Sequence, residues 1–200
     1  MRIFVGLDID DEIRGRIVRF VEGVREFAPD ARWVRPESLH ITLKFIGEKS
    51  EAEVEPIKSS LRAIRGAPIQ LAFRGFGFFP NAKSARVFWI GIQAGDELPR
   101  LAAAVDDAMA QLGMAKEDHP FSPHLTLARA GGRSGNPKWQ KGDGPNAGFK
   151  KVQEKLAAIP DPEFGSMTPR AFHLYQSKLG PGGSKYTKLD TFRLAAPDVR

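Results

Sequence analysis

Two short stretches of this chain nearly repeat each other. Leu39-His40-Ile41-Thr42-Leu43 is matched by Pro123-His124-Leu125-Thr126-Leu127. Their histidines lie 124 − 40 = 84 positions apart. Each stretch alternates polar and apolar residues, the period of an extended strand, where successive side chains point to opposite faces. His40 and Thr42 therefore share one face, and Ile41 and Leu43 take the other and enter a core. The same holds for His124 and Thr126 against Leu125 and Leu127. A fold for this chain must hold two such strands with their reverse sides buried. The repetition points to two diverged copies of one unit, forming two lobes with facing sites.

The rest of the chain interleaves helices and strands. RIFVGLDI reads as a buried strand. Ile13, Ile17, Phe20, Val21 and Val24 then fall on one helical face, with Asp10 and Asp11 as caps. ARWVRPESLHITLKFIGE reads as an extended stretch with Pro36 in its middle. A second helix is expected from Glu55 to Arg65, with Pro56 in its first turn. The segments 69–79 and 85–92 are rich in aromatic and β-branched residues and read as strands joined by a turn at Pro80-Asn81. A third helix carries Leu98, Leu101, Val105, Met109 and Leu112 and stops at Gly113. FSPHLTLAR follows as a strand. A fourth helix turns Phe149, Val152, Leu156 and Ile159 inward. The tail PRAFHLYQSKLGPGGSKYTKLDTFRL reads as two strands around GPGG. This pattern predicts an α+β fold, bilobal, with two pseudo-symmetric lobes of sheet plus helices around a central cleft. Residues 1–200 form one such domain, with a flexible, glycine-rich loop at 131–148.

Composition removes several function classes. The chain has no cysteine, which excludes disulfides, zinc-thiolate sites and a cysteine nucleophile. No apolar run approaches the roughly 20 residues of a membrane helix. The start MRIFVGLDIDDE lacks the pattern of a signal peptide, so a cytoplasmic monomer without membrane attachment is expected. A formal charge of +6, from 30 basic and 24 acidic residues, favours a phosphate-bearing ligand. It falls short of the dense basic runs of a protein that coats nucleic acid.

Two strands, each offering an imidazole and a hydroxyl to one cavity, suit phosphoester chemistry. Opening a cyclic phosphate is an in-line displacement at phosphorus. Water must lose a proton on one side, and the leaving ribose oxygen must gain one on the other. Histidine, with an ordinary pKa of about 6.5, serves in either role near neutral pH. Threonine hydroxyls donate to non-bridging oxygens without repelling them, and a nearby arginine neutralises charge. A competing reading makes His40 and His124 two ligands of a metal ion. No carboxylate sits within either stretch, however, and H-x-H and H-E-x-x-H spacings are missing. His119, in a loop before Pro120, and His173, in the apolar AFHLY, read as structural or solvent-facing. Trp33, Phe79, Trp89 and Tyr186 read as core residues, any of which stacks a nucleobase if it borders the cleft. Lys44 shares strand parity with His40 and Thr42, which predicts a place on the same cleft.

The residues also carry a resemblance. MRIFVGLDI, RWVRPESLHITLKFIGE, ARVFWIGI, FSPHLTLAR and the late S-x-L-x₅-S-K-Y-x-x-L resemble the 2H phosphoesterase superfamily. Within it they are most similar to the RNA 2′,3′-cyclic phosphodiesterases, also called 2′-5′ RNA ligases. The resemblance spans nearly the whole chain. It implies cofactor-free and metal-free hydrolysis of 2′,3′-cyclic phosphate ends, on RNA or cyclic nucleotides, to 2′-phosphates. It implies that His40 is the proton donor, that His124 is the proton acceptor, and that Thr42, Thr126 and Arg129 bind the substrate. Strand parity puts Arg129 opposite to His124, so its role requires the strand to end or bulge near Ala128. The resemblance leaves open a reversible 2′-5′ RNA ligase acting on tRNA halves. A non-catalytic RNA-binding module would keep the fold without needing the paired histidines. The loop at 131–148, with Lys138, Trp139 and Lys141, is longer than this pattern implies and is expected at the surface.

Overall fold

The apolar start forms β1 (Arg2–Leu7), and its alternation decides which way each residue faces. Ile3, Val5 and Leu7 are buried in the core, leaving Arg2, Phe4 and Gly6 for the other face. The structure, a computed structural model, describes residues 1–131, 147–180 and 183–195. Helix α1 (Asp11–Glu22) follows and buries Ile13 and Ile17. The stretch expected to be extended is interrupted. It forms β2 (Arg32–Trp33), a 3-10 turn at Pro36–Ser38 and β3 (Ile41–Glu48). Proline's fixed φ suits the first position of such a turn.

Helix α2 (Glu51–Arg62) begins earlier than expected. The signal for its start is Ser50-x-x-Glu53, a capping box. The Ser50 backbone N–H and hydroxyl both donate to Glu53 Oε2 at 2.8 Å. Those bonds, with the Lys49 ammonium, pull the Glu53 pKa down to about 2. Pro56 therefore sits in the second turn, inside the helix, where its missing N–H costs one backbone bond.

Strands β4 (Leu71–Phe79) and β5 (Val87–Ala94) form the expected hairpin. Asn81 Oδ1 holds the turn between them by accepting from the N–H groups of Lys83 and Ser84, each at 3.0 Å. Helix α3 (Glu97–Gln111) is closed by Gly113 at φ 82°. Strand β6 (His124–Arg129) follows. Helix α4 (Lys150–Leu156) buries Val152 and Leu156, but it ends too soon to turn Ile159 inward, and Ile159 is 44% exposed. Next comes β7 (Glu163–Met167), a strand the sequence pattern does not suggest. Strands β8 (Ala171–Gly180) and β9 (Gly183–Arg193) form the tail hairpin. Of the loop expected at 131–148, residues 132–146, with Lys138, Trp139 and Lys141, lie outside the described residues. So do Pro181 and Gly182 of the GPGG stretch.

Among the described residues nine strands join in one antiparallel sheet, ordered β7-β4-β5-β6-β3-β1-β8-β9, with β2 beside β6. The two expected lobes are the halves of this sheet. They meet at β6 and β3, where Ile41 lies opposite Leu125. Helices cross between the halves: α1, from the first, packs on β7, and α3, from the second, packs on β3 and α2. One apolar core runs under both halves. No described helix is long and apolar enough to cross a membrane.

Lys44 corrects the simple alternation. Thr42 pairs with Gly6, but Lys44, not Leu43, pairs with Val5. This bulge turns both Leu43 and Lys44 into the core side, and Lys44 is 4% exposed. It leaves the cleft and ties β3 to α3 and the segment beyond it. Its Nζ donates to Asp106 Oδ1 at 2.6 Å, to the Ala115 carbonyl at 3.1 Å and to Glu117 Oε1 at 3.3 Å. Removing one member of such a pair strands its partner. Lys44→Ala should lower unfolding free energy by about 2–4 kcal/mol. Urea titration of the variant checks this. A double variant, Lys44→Met with Asp106→Leu, should recover much of the loss.

Candidate active site

The pairing of Ile41 with Leu125 places the two repeated stretches side by side. In an antiparallel pair the register continues in both directions. One step each way, His40 stands opposite Thr126 and Thr42 opposite His124. All four share the face away from the core. His40 and His124 are diagonal neighbours, which sets their backbones about 7–8 Å apart.

Both imidazoles are held in the same way. His40 Nδ1 donates to the Ser38 carbonyl at 2.7 Å, and His124 Nδ1 donates to the Ser122 carbonyl at 2.7 Å. A carbonyl only accepts, so each Nδ1 carries the proton and each Nε2 is left for the cleft. The Thr42 hydroxyl donates to His40 Nε2 at 3.0 Å. Burial pushes the His40 pKa down to about 4, with the Ser38 bond and Asp8 pulling it up and Arg129 and His124 pushing it down. Burial also lowers His124, and Arg129 adds to that. Burial thus favours the neutral form of both free rings at pH 7.

A second bulge moves Arg129. Trp89 pairs with Thr126 and Phe88 with Ala128, so Leu127 is the extra residue. Leu127 and Ala128 both face the core, and Arg129 returns to the side of His124 and Thr126. Burial lowers the Arg129 pKa first; the Arg32 and Arg2 charges lower it further, and Tyr186 opposes them. The bulge after Thr42 has the same form and delivers Phe45 to the cleft face, five residues after His40, as Arg129 is five after His124. Phe45 is 55% exposed. Alternation alone sends it inward, so the sequence pattern hides it.

Aromatic rings flank each histidine. His40 lies 4.7 Å from Phe4 and 4.9 Å, edge-on, from Tyr186. His124 lies 4.9 Å, edge-on, from Phe79 and 6.3 Å from Trp89. Two close approaches need glycine. A Cβ on Gly6 would sit 2.6 Å from the Ile41 carbonyl oxygen, and one on Gly77 would sit 2.2 Å from the Trp89 ring. A small polar pocket of about 180 Å³ opens beside His40, with Asp8, Ser38, Tyr175 and Lys188 in its wall. The larger hollow, at the ends of β4, β5 and β7, is lined by uncharged residues and lies apart from the histidines.

The remaining candidates fall elsewhere. Trp33 Nε1 donates to the Ala28 carbonyl at 3.1 Å, and its ring packs edge-on against Phe88 in the core. His119 is exposed. His173 is buried and shares a 3.0 Å hydrogen bond with Thr191 Oγ1. Among the described residues no three His, Cys, Asp or Glu side chains gather into a set that would hold a metal ion.

One sheet face carrying two histidine–threonine pairs about a near-twofold axis defines a 2H phosphoesterase. Comparison with known proteins gives the family. The chain belongs to the LigT-like phosphoesterases, whose family model matches it twice, over residues 7–89 and 90–186, once for each pair. The RNA 2′,3′-cyclic phosphodiesterase of Archaeoglobus fulgidus is 35% identical over 192 residues, covering 96% of this chain and 99% of the relative. That of Methanothermobacter thermautotrophicus is 30% identical over 196 residues, covering 97% and 99%. The crystal structure of E. coli LigT complexed with 3′-AMP superposes with a TM-score of 0.75 at 28% identity, covering 98% of each chain.

Proposed function

We propose that this chain opens 2′,3′-cyclic phosphates at RNA ends or on nucleotides, leaving a 2′-phosphate, with its two histidines as acid and base. The observation that carries this reading is the matched pair of imidazoles. Each is anchored through Nδ1, turns Nε2 into the cleft, and stands diagonally across from the other. The curated relatives named RNA 2′,3′-cyclic phosphodiesterase support the same chemistry.

A water oxygen attacks phosphorus opposite the 3′ oxygen, and its proton passes to His124 Nε2. The bond from phosphorus to the 3′ oxygen breaks. His40 enters this step as the imidazolium, having taken a proton on Nε2 from solvent; the leaving oxygen takes that proton and becomes a 3′ hydroxyl. The phosphate stays on the 2′ oxygen. Thr42 and Thr126 donate to its non-bridging oxygens, and Arg129 offsets the charge that grows there. Proton exchange with solvent then resets both rings. Phe45 and Tyr186 offer faces on which the terminal base stacks.

The test is product analysis on an RNA ending in a 2′,3′-cyclic phosphate, with excess EDTA present. The expected product is the 2′-phosphate, at a rate unchanged by the chelator. A 3′-phosphate product, or loss of turnover with EDTA, would overturn this mechanism.

A further inference from the structure

The cleft is nearly symmetric, yet its two histidines must do opposite things. The sheet registers show where the symmetry fails. Thr42 faces Gly6 on β1, and Thr126 faces Trp89 on β5. His124 faces Gly91 on β5. On the other side Leu7 pairs with Ile41, so the next residue, Asp8, stands at the matching place beside His40. One histidine thus has a carboxylate neighbour where the other has a glycine. Asp8 and His40 also line the same small pocket.

Asp8 is held firmly there. The Tyr175 hydroxyl donates to its Oδ1, and Lys188 Nζ donates to its Oδ2. His173 Nε2 lies 3.9 Å from Oδ2. Burial raises the Asp8 pKa, but the Lys188 and Tyr175 bonds outweigh it and hold the carboxyl ionised. Tyr175, whose pKa is raised by burial and by Asp8, stays a neutral donor.

We propose that Asp8 is the positioning residue that reserves the proton-donor role for His40. This rests on the two-histidine reading above. A donor must be protonated when substrate is bound, and an anion beside it favours that form. Among the described residues no carboxylate stands beside His124 in this way. Asp8 touches neither water nor phosphorus; it acts through His40. Burial weighs most against the imidazolium of His40; among the described residues the charges that act on it are Asp8, Arg129 and His124, and of these Asp8 alone favours the imidazolium. Those around Asp8 are Lys188 and His173, with Arg14 and Glu37 on the pocket wall. Lys188 and Asp8 are similarly exposed, 45% and 40%, so solvent screens both, and the Lys188 cation offsets part of the Asp8 field.

Two variants of the full chain give opposite signs. Histidine titration by nuclear magnetic resonance follows each ring. Asp8→Asn should move the His40 midpoint to lower pH. Lys188→Met, which removes the cation bonded to Asp8, should move it to higher pH. Neither should move His124 comparably. Asp8→Asn should lower kcat on the order of tenfold, a fraction of what a general acid supplies, with KM little changed. Asp8→Glu should recover part of the loss. A purely structural role would not shift the midpoint in opposite directions. If His40 does not move, or if His124 moves as much, the proposal fails. If Asp8→Asn does not fold, Lys188→Met, on an edge strand, decides alone. Turnover that survives His40→Ala and His124→Ala would instead sink the two-histidine reading itself.

Discussion

Replacing either His40 or His124 with alanine should lower kcat by about 10²–10⁴-fold, the usual contribution of one general acid or base. The double variant should lose little more than the worse single one, because in the proposed mechanism acid and base act on one displacement and do not add. Folding should be largely retained, since both rings lie at the cleft and not in the core. The pH dependence carries the sign of their environment. Burial lowers both pKa values, His40 to about 4. The kcat/KM profile reports the free enzyme, so its maximum should fall on the acid side of the ordinary histidine value of about 6.5. A bound phosphodiester is an anion and favours the imidazolium. The alkaline limb of kcat should therefore lie at higher pH than that of kcat/KM. Both profiles, measured from acid to alkaline pH at fixed ionic strength, check this. Coincident limbs, or a kcat/KM maximum well above neutral, would contradict a catalytic pair of buried histidines.

The repeated stretches are legible in the sequence because strand alternation is a strict rule of local geometry. His40, Thr42, His124 and Thr126 share a face in the folded chain as two-residue periodicity requires, and Ile41 and Leu125 form the contact that joins the halves. What alternation cannot show is where a strand gains a residue. Two bulges, at Leu43 and Leu127, reverse the facing of everything after them. Alternation therefore misplaces Lys44 and hides Phe45, and it gives Arg129 a condition that only the pairing of Phe88 with Ala128 satisfies. Bulges depend on the neighbouring strand, which local sequence does not name. Helix α2 departs from expectation for a different reason: Pro56 competes as a start signal with the Ser50–Glu53 capping box, and the capping box wins. Strand β7 carries Gly165 and one large buried ring, Phe164, so it offers no alternation to read. Asp8 sits just past its strand and gains meaning only when β1 and β3 are laid side by side.

Arg129→Gln should lower kcat/KM on the order of 10²-fold, comparable to the removal of one preorganised donor from an anion hole. Arg129 sits half-buried on the cleft face, and among the described residues the cations Arg32 and Arg2 push its pKa down with no carboxylate opposing them. A guanidinium in that setting is poorly compensated until an anion arrives. The same fact makes a second, opposite forecast. Taking away an uncompensated partly buried charge should not weaken the fold, so the Tm of Arg129→Gln should equal or exceed that of the parent, as expected where function is held at a cost in stability. Inorganic phosphate should raise the parent's Tm through preferential binding to the folded state, and this rise should shrink in the variant. Arg129→Lys should restore only part of the activity. Lysine keeps the charge but cannot present the planar fork that engages two phosphate oxygens at once. Activity assays across a salt series separate the two contributions. The part that lysine restores should be the more salt-sensitive, because it is charge alone. A variant that loses stability and activity together, with phosphate protection intact, would show that Arg129 holds the sheet and not the substrate.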